Sequence, residues 1–195
     1  MEWNKRLILA SASPRRRELL GRFGLPFEVI PARGEEHPPA GAGPEETVLS
    51  LARTKAREVA VREADPAAAY VAADTIVELD GVILGKPADA AEARAMLLAL
   101  SGRTHRVWSG LCVILGDREL CESECTEVRF RPLTEAEIDA YVATGEPLDK
   151  AGAYGIQGLA ALFAEGIRGD YFNVMGLPLC RLGQMLSGLG ISLLG

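Results

Sequence analysis

Residues 7–17 read LILASASPRRR, and this stretch decides how the rest of the chain is organised. The apolar run at residues 7–10 has the length of a buried strand and stops at a Ser-Ala-Ser-Pro turn. Ser13 suits a helix N-cap, and Pro14 suits the first helical position because its missing N–H costs nothing there. The stretch therefore predicts a strand, a tight turn and a helix that begins with arginines.

The arginines at residues 15–17 indicate an anion site at this turn. Positive charge at a helix N-terminus opposes the helix dipole, so the helix alone gains nothing from it. A phosphate held by the first-turn N–H groups and by Arg15 and Arg16 would remove that conflict. Ligands of open α/β sheets also bind beyond the carboxyl ends of strands. The alternative is a solvated surface cluster, as most runs of charge are.

Composition limits the classes of protein to consider. The chain has 195 residues, of which 48% are hydrophobic and 25% charged, and this suits a single domain over residues 1–195. The net charge of -6 argues against a general nucleic-acid binder but permits a local cationic cluster for a small polyanion. No apolar run is long enough to span a membrane, and the opening MEWNKR lacks a signal-peptide core, so we expect a cytoplasmic protein.

Cysteine and histidine give little support for a metal site or a nucleophilic triad. Cys121 and Cys125 are separated by three residues, which is a weak metal signal without a second pair, so reduced thiols are expected. The two histidines, His37 and His105, lie far apart in sequence. A histidine-built metal site or a Ser-His-Asp arrangement is therefore poorly supported.

Three charged residues further along the chain are candidates for site chemistry. Asp74 follows the apolar run 69–73, and a carboxylate at a strand end is suited to holding a divalent metal or acting as a base. Lys55 lies at the edge of the apolar stripe of a helix predicted over residues 45–63, facing either a cleft or solvent. Lys86 is enclosed between a glycine and a proline, which favours a fixed position.

A second dense segment, residues 145–158, reads GEPLDKAGAYGIQG. Its glycines would let the backbone approach a ligand closely, and Gln157 offers both a donor and an acceptor to a base edge. The alternative is a structural glycine-rich turn. A closing strand is predicted over residues 159–164, and a last amphipathic helix ends near residue 189.

Taken together, these motifs resemble the Maf family of nucleoside triphosphate pyrophosphatases over nearly the whole chain. The resemblance rests on Ser11-x-Ser13-Pro14-Arg15-Arg16, Glu35-Glu36, Lys55, Asp74-Thr75-Ile76-Val77, Gly85-Lys86-Pro87, Leu100-Ser101-Gly102-x-x-His105, residues 149–158 and Asn173-Val174-x-Gly176-Leu177-Pro178-Leu179. It implies an α/β fold with a mixed twisted sheet, flanking helices and two lobes around a cleft, similar to inosine triphosphate pyrophosphatases. It also implies a metal-dependent hydrolase that cleaves between the α- and β-phosphates, in which a homodimer would be unsurprising.

The resemblance also implies roles for individual residues. Asp74 would be the catalytic base, and Glu36 and Asp74 would hold Mg²⁺ or Mn²⁺. The residues expected to contact the nucleotide are Ser11, Arg15, Arg16, Lys55, Thr75, Lys86 and Gln157. The segment YGIQG at residues 154–158 is similar to the branch that cleaves dTTP and UTP, a role in cleaning the nucleotide pool. The alternatives are a pyrophosphatase of other nucleotide specificity and a regulatory nucleotide-binding protein linked to septum formation or cell division.

Overall fold

The computed structural model describes residues 5–34 and 37–193. The strands are β1 (Leu7–Leu9), β2 (Glu28–Val29), β3 (Ala69–Leu79), β4 (Val82–Leu84), β5 (Thr104–Leu115), β6 (Arg118–Phe130) and β7 (Ala164–Arg168). The helices are α1 (Pro14–Gly21), α2 (Pro44–Glu63), α3 (Ala90–Leu100), α4 (Glu135–Ala143), α5 (Tyr171–Met175) and α6 (Leu179–Gly188). Short 3₁₀ helices lie at Glu146–Asp149, Ala151–Ala153 and Leu159–Leu162. This mixture of strands and helices confirms the predicted α/β class.

Within the described ranges, seven strands form one mixed sheet. Their order is β2-β1-β3-β5-β6-β7, and β4 pairs with β3 off that path. β1 is parallel to both of its neighbours, whereas β4 is antiparallel to β3 and β7 is antiparallel to β6. The position of β1 between two parallel neighbours explains its uninterrupted apolar sequence, because a strand of a parallel sheet is covered on both faces.

Local sequence signals set the ends of several elements as predicted. The Ser13 hydroxyl accepts a hydrogen bond from the backbone N–H of Arg16, which caps α1. β3 turns into β4 at Asp80 and Gly81, whose φ angles of 51° and 83° are those that a tight hairpin requires. Thr134 and Glu137 form a reciprocal capping box at the start of α4.

Helix α2 packs unusually close to strand β5. Its buried side includes Val48, Leu51 and Ala52, which matches the apolar stripe read from the sequence. A Cβ atom on Gly110 of β5 would lie only 2.3 Å from the carbonyl oxygen of Val48. Glycine is therefore required at residue 110 for the helix backbone to touch the strand, and this contact fixes the position of α2.

The chain divides into two compact units. The described residues of the first unit fall within Met1–Asp74, Ser109–Glu124 and Gly176–Gly195. The second unit comprises Thr75–Trp108 and Cys125–Met175. Strands β3, β5 and β6 each contribute residues to both units. The cleft that the family resemblance implies stays a prediction.

The structure corrects two sequence predictions. Asp74 does not end a strand, because β3 continues through it to Leu79. Residues 159–164 are not a strand: Leu159–Leu162 form a 3₁₀ helix, and β7 begins at Ala164. Burial explains this difference, since Ala160 and Phe163 are buried while Leu159 and Leu162 are exposed, a three-residue period rather than an alternation. None of the helices in the described ranges is long and apolar enough to cross a membrane.

Candidate functional site

Arg16, at the start of α1, is held by hydrogen bonds to Ser11 and Gly176 of the first unit. Its Nε donates to the carbonyl oxygen of Gly176 at 2.8 Å, and its Nη1 donates to the Ser11 hydroxyl at 3.3 Å. Ser11 is itself buried, and its hydroxyl also accepts from the backbone N–H of Ser13. The structure thus brings Ser11 and Arg16 together at the turn where the sequence predicts a phosphate site.

The other two arginines of the run have different surroundings. Arg15 is half-buried in the first turn of α1, whereas Arg17 is exposed. A cavity of about 800 Å³ beside α1 and β2 is lined by Arg17 and Phe27, among other residues. Neither Arg15 nor Arg16 is among the residues that line this cavity. The run of three arginines therefore does not act as one uniform cluster.

Lys55 and Asp74 form a nearly buried ion pair within the first unit. The Lys55 Nζ donates to Asp74 Oδ1 at 2.6 Å, and the two side chains are only 14% and 10% exposed. Lys55 reaches Asp74 because it lies one helical turn after the buried Leu51 on α2, while Asp74 lies on β3. The alternative of a solvent-facing Lys55 is therefore wrong. The Lys55 amine therefore balances the negative charge of Asp74 on β3.

The two predicted metal ligands are Glu36 and Asp74. Glu36 lies outside the described residues. Asp74 supplies a carboxylate, the hard oxygen ligand that Mg²⁺ prefers, although one of its oxygens already accepts from Lys55. Within residues 5–34 and 37–193, no cluster of three or more potential metal ligands includes Asp74. A divalent metal at Asp74 therefore stays a prediction.

The three remaining predicted contacts, Thr75, Lys86 and Gln157, belong to the second unit. Thr75 is half-buried on β3, whereas Lys86 and Gln157 are exposed. The segments that carry Lys86 and Gln157 meet, because the backbone N–H of Gly152 donates to the carbonyl oxygen of Gly85 at 3.0 Å. The structure therefore links the Gly-Lys-Pro motif to the glycine-rich segment, a connection that their sequence separation conceals.

Two glycines of the segment 145–158 pack tightly against neighbouring side chains. A Cβ atom on Gly155 would lie 2.7 Å from Cε of Lys150, and one on Gly158 would lie 2.2 Å from Oε1 of Glu146. Glu146 cannot move away freely, since its carboxylate accepts a hydrogen bond from the Tyr141 hydroxyl. The glycines therefore make the segment compact, which favours the structural-turn alternative for these positions and leaves Gln157 at the surface.

The buried His105 contacts the glycine-rich segment through Tyr154. The sequence alone indicates no role for this histidine. The Nε2 atom of His105 lies 2.7 Å from the Tyr154 hydroxyl, and the imidazole packs edge-on against the Phe130 ring. Within the described ranges its Nδ1 atom has no hydrogen-bond partner. Burial lowers the pKa of His105 to about 4, so the ring is neutral at pH 7. His105 thus positions Tyr154 rather than binding an anion.

The motif at residues 173–179 also contributes contacts that stabilise the fold. Asn173 is buried in the second unit, and its Nδ2 atom donates to the Val107 carbonyl oxygen at 3.0 Å and to Thr126 Oγ1 at 2.9 Å. Gly176 of the same motif supplies the carbonyl that holds Arg16. That contact joins residues 160 positions apart, and no spacing in the sequence indicates it.

Known proteins that are similar to this chain identify its family. The chain matches the Maf-like protein family over residues 6–189. It is 54% identical over 186 residues to a dTTP/UTP pyrophosphatase of Symbiobacterium thermophilum, with 95% of each chain covered. It is also 54% identical over 173 residues to a dTTP/UTP pyrophosphatase of Thermococcus gammatolerans, covering 89% of this chain and 91% of that relative.

The fold also has a counterpart among solved structures. The Staphylococcus aureus Ham1 protein superposes with a TM-score of 0.51 at 16% identity, covering 95% of this chain and 100% of the other. At that identity the likeness concerns the fold alone. The match over residues 6–189 and the identity of 54% over 95% of a relative lead to one assignment. The chain belongs to the Maf-like protein family.

Proposed function

We propose that this protein is a nucleoside triphosphate pyrophosphatase that hydrolyses dTTP and UTP to the monophosphate and pyrophosphate. The observation that carries the proposal is the 54% identity, over 95% of the chain, to a relative named dTTP/UTP pyrophosphatase. The geometry of the first unit supports the chemistry, because it combines an arginine-bearing helix start with a lysine–aspartate pair.

The positive side chains would neutralise the triphosphate, which carries several negative charges. Arg16 is already oriented by Gly176 and Ser11, so little side-chain freedom is lost when its guanidinium contacts a phosphate oxygen. Arg15 lies in the same helical turn and would add a second guanidinium. Lys55 and Lys86 would act as compact point charges, and the part played by Lys86 stays a prediction.

Asp74 would accept the proton of the water that attacks the α-phosphorus. Its carboxylate is fixed on β3 and is oriented by the amine of Lys55, so no large movement is needed before it meets a water molecule. Lys55 thus has two tasks in the proposal: it holds the base and it contributes positive charge. Catalysis then consists mainly of positioning and charge stabilisation, as is usual for phosphoryl chemistry.

A divalent metal, Mg²⁺ or Mn²⁺, is part of the proposal. Asp74 would hold it, together with Glu36 and phosphate oxygens of the substrate. When bound, the metal would polarise the phosphate and neutralise part of its charge. Thr75 and Gln157 are proposed to sort substrates, since a site that hydrogen-bonds a base edge rejects analogues that leave its polar groups unpaired. A cytoplasmic location and a homodimer complete the proposal.

The test is a pyrophosphate-release assay on the full chain with a panel of nucleoside triphosphates, with and without added Mg²⁺ or Mn²⁺. We expect dTTP and UTP to be the best substrates, and we expect EDTA to abolish turnover. Asp74→Asn should keep the fold and lower kcat by at least about 100-fold, the usual contribution of a positioned base. Asp117→Asn, which changes an exposed aspartate in the β5–β6 turn, is the matched control.

Three results would contradict the proposal. Tight nucleotide binding without turnover would favour a regulatory nucleotide-binding protein. A preference for purine nucleotides would retain the reaction but change the substrate. Near-normal hydrolysis by Asp74→Asn would place the base elsewhere.

A further inference from the structure

Two cysteines of the first unit face each other across a hairpin that has no part in the proposed reaction. Cys112 lies on β5 and Cys121 on β6, and the strands are joined by the two residues Gly116 and Asp117. Counting outward from that turn sets Cys112 directly opposite Cys121, and their Sγ atoms lie 2.9 Å apart. Directly opposed residues of neighbouring strands have the Cα separation that a disulfide needs. Both cysteines are nevertheless free thiols.

The two thiols have very different surroundings. Cys112 is completely buried in an apolar cluster that includes Ala56 and Val59 of α2, whereas Cys121 is half-buried at the edge of that cluster. The hydrogen bond between the two cysteines and then the Arg53 guanidinium lower the pKa of Cys121 to about 7. The same hydrogen bond, together with burial, raises the pKa of Cys112. Cys121 is therefore the more acidic and the more exposed thiol of the pair, and Cys112 is the protected one.

A metal ion is a less suitable occupant of this cluster. Cys112, Cys121 and Glu119 could offer one ligand atom each, with those atoms within 4.8 Å of one another. The Glu119 carboxylate, however, already accepts two hydrogen bonds from Arg57 and pairs with Arg53 at 3.1 Å. A cation would have to displace or face these two guanidiniums. Positive charge around a thiolate favours its nucleophilic chemistry instead.

We propose that Cys112 and Cys121 form an oxidisable dithiol that reacts with hydroperoxides and closes an intramolecular disulfide. In the first step the Cys121 thiolate attacks a peroxide oxygen, the O–O bond breaks, and Cys121 becomes a sulfenic acid as hydroxide or alkoxide leaves. In the second step the sulfur of Cys112 attacks the sulfenic sulfur, the S–S bond forms, and the hydroxyl leaves as water with the Cys112 proton. Two thiols are oxidised, and one hydroperoxide is reduced.

The experiment is a hydrogen peroxide titration of the full-length protein, followed by intact mass measurement, peptide mapping and thiol counting. We expect the mass to fall by two hydrogen atoms, one peptide pair to contain Cys112 joined to Cys121, and the free thiols to fall from four to two. Dithiothreitol should restore all four. In Cys112→Ser the sulfenic acid on Cys121 should persist and be trapped by dimedone, because its resolving partner is missing.

Cys180 provides an internal control because it is the exposed cysteine of the chain. Exposure alone would make Cys180 react first, whereas the proposal expects Cys121 to be oxidised at lower peroxide concentration. Cys180→Ser should leave the disulfide yield unchanged, and Cys121→Ser should leave Cys112 reduced. Cys112→Ala serves as a second resolving-cysteine variant should the buried serine disturb folding.

Three outcomes would overturn the proposal. The first is oxidation of Cys180 before Cys121, and the second is oxidation of Cys121 to the sulfinic acid without any link to Cys112. The third is protection of both thiols from peroxide and alkylation by micromolar Zn²⁺, which would identify the cluster as a metal site. All of these readouts are independent of nucleotide hydrolysis, so they test this dithiol separately from the proposed function.

Discussion

The Lys55–Asp74 pair gives the most direct test of how the first unit is built. Lys55→Met keeps the length of the side chain and most of its apolar stem but removes the amine. Asp74 would then remain on β3 with its carboxylate largely buried and without the cation that now lies 2.6 Å away. The variant therefore isolates the cost of an uncompensated charge in that position.

The magnitude follows from the exposure of the two side chains. Breaking a buried pair costs about 3–5 kcal/mol, whereas an exposed pair contributes about 0–1 kcal/mol. At 14% and 10% exposure the pair lies close to the buried limit, so Lys55→Met should lower the free energy of unfolding by about 3 kcal/mol. Lys55→Met combined with Asp74→Asn should recover at least about half of this loss, because neither side chain then carries an unpaired charge.

Urea unfolding followed by circular dichroism measures these differences, provided that the m-value stays constant. Lys86→Met is the matched control, since Lys86 is an exposed lysine and should change stability by less than about 0.5 kcal/mol. The reasoning is refuted if Lys55→Met is as mild as Lys86→Met. It is also refuted if the double variant is destabilised by the full sum of the two single changes.

Three further predictions concern other parts of the molecule. Gly110→Ala should lower the free energy of unfolding by about 1–3 kcal/mol or more, because its Cβ would lie 2.3 Å from the Val48 carbonyl oxygen. Urea unfolding should show a milder effect for Gly166→Ala, whose Cβ would enter open space. The free energy of unfolding should fall by about 3 kcal/mol as the pH drops from 6.5 to about 4, because buried His105 stays neutral while the unfolded chain takes up a proton. His105→Leu should flatten that part of the curve of unfolding free energy against pH. Arg16→Ala should lower kcat/KM for dTTP by about 10–100-fold, and a change confined to the melting temperature would make this arginine structural.

The sequence predicts those features that depend on neighbouring residues. Ser13 caps α1, Thr134 opens α4, and the Asp-Gly turn joins β3 to β4, because each of these is decided by side chains and φ angles within a few positions. The buried stripe of α2 is equally local, since its period is that of the helix itself.

Contacts between distant segments could not be predicted in this way. The carbonyl that holds Arg16 belongs to Gly176, a residue 160 positions away along the chain. The prediction that Asp74 ends a strand is wrong for the same reason. The cation that lets an aspartate sit inside β3 is contributed by a helix earlier in the chain.

The division of the chain has a consequence for how the protein is made. The boundaries between the two units fall after Asp74, Trp108, Glu124 and Met175, so neither unit is one continuous stretch. During synthesis the N-terminal arginine turn emerges early, yet the carbonyl that orients Arg16 is added only at residue 176. A ribosome-bound chain must therefore carry an unfinished arginine turn through most of translation. Expressing either unit alone would require a rearranged gene rather than a simple truncation.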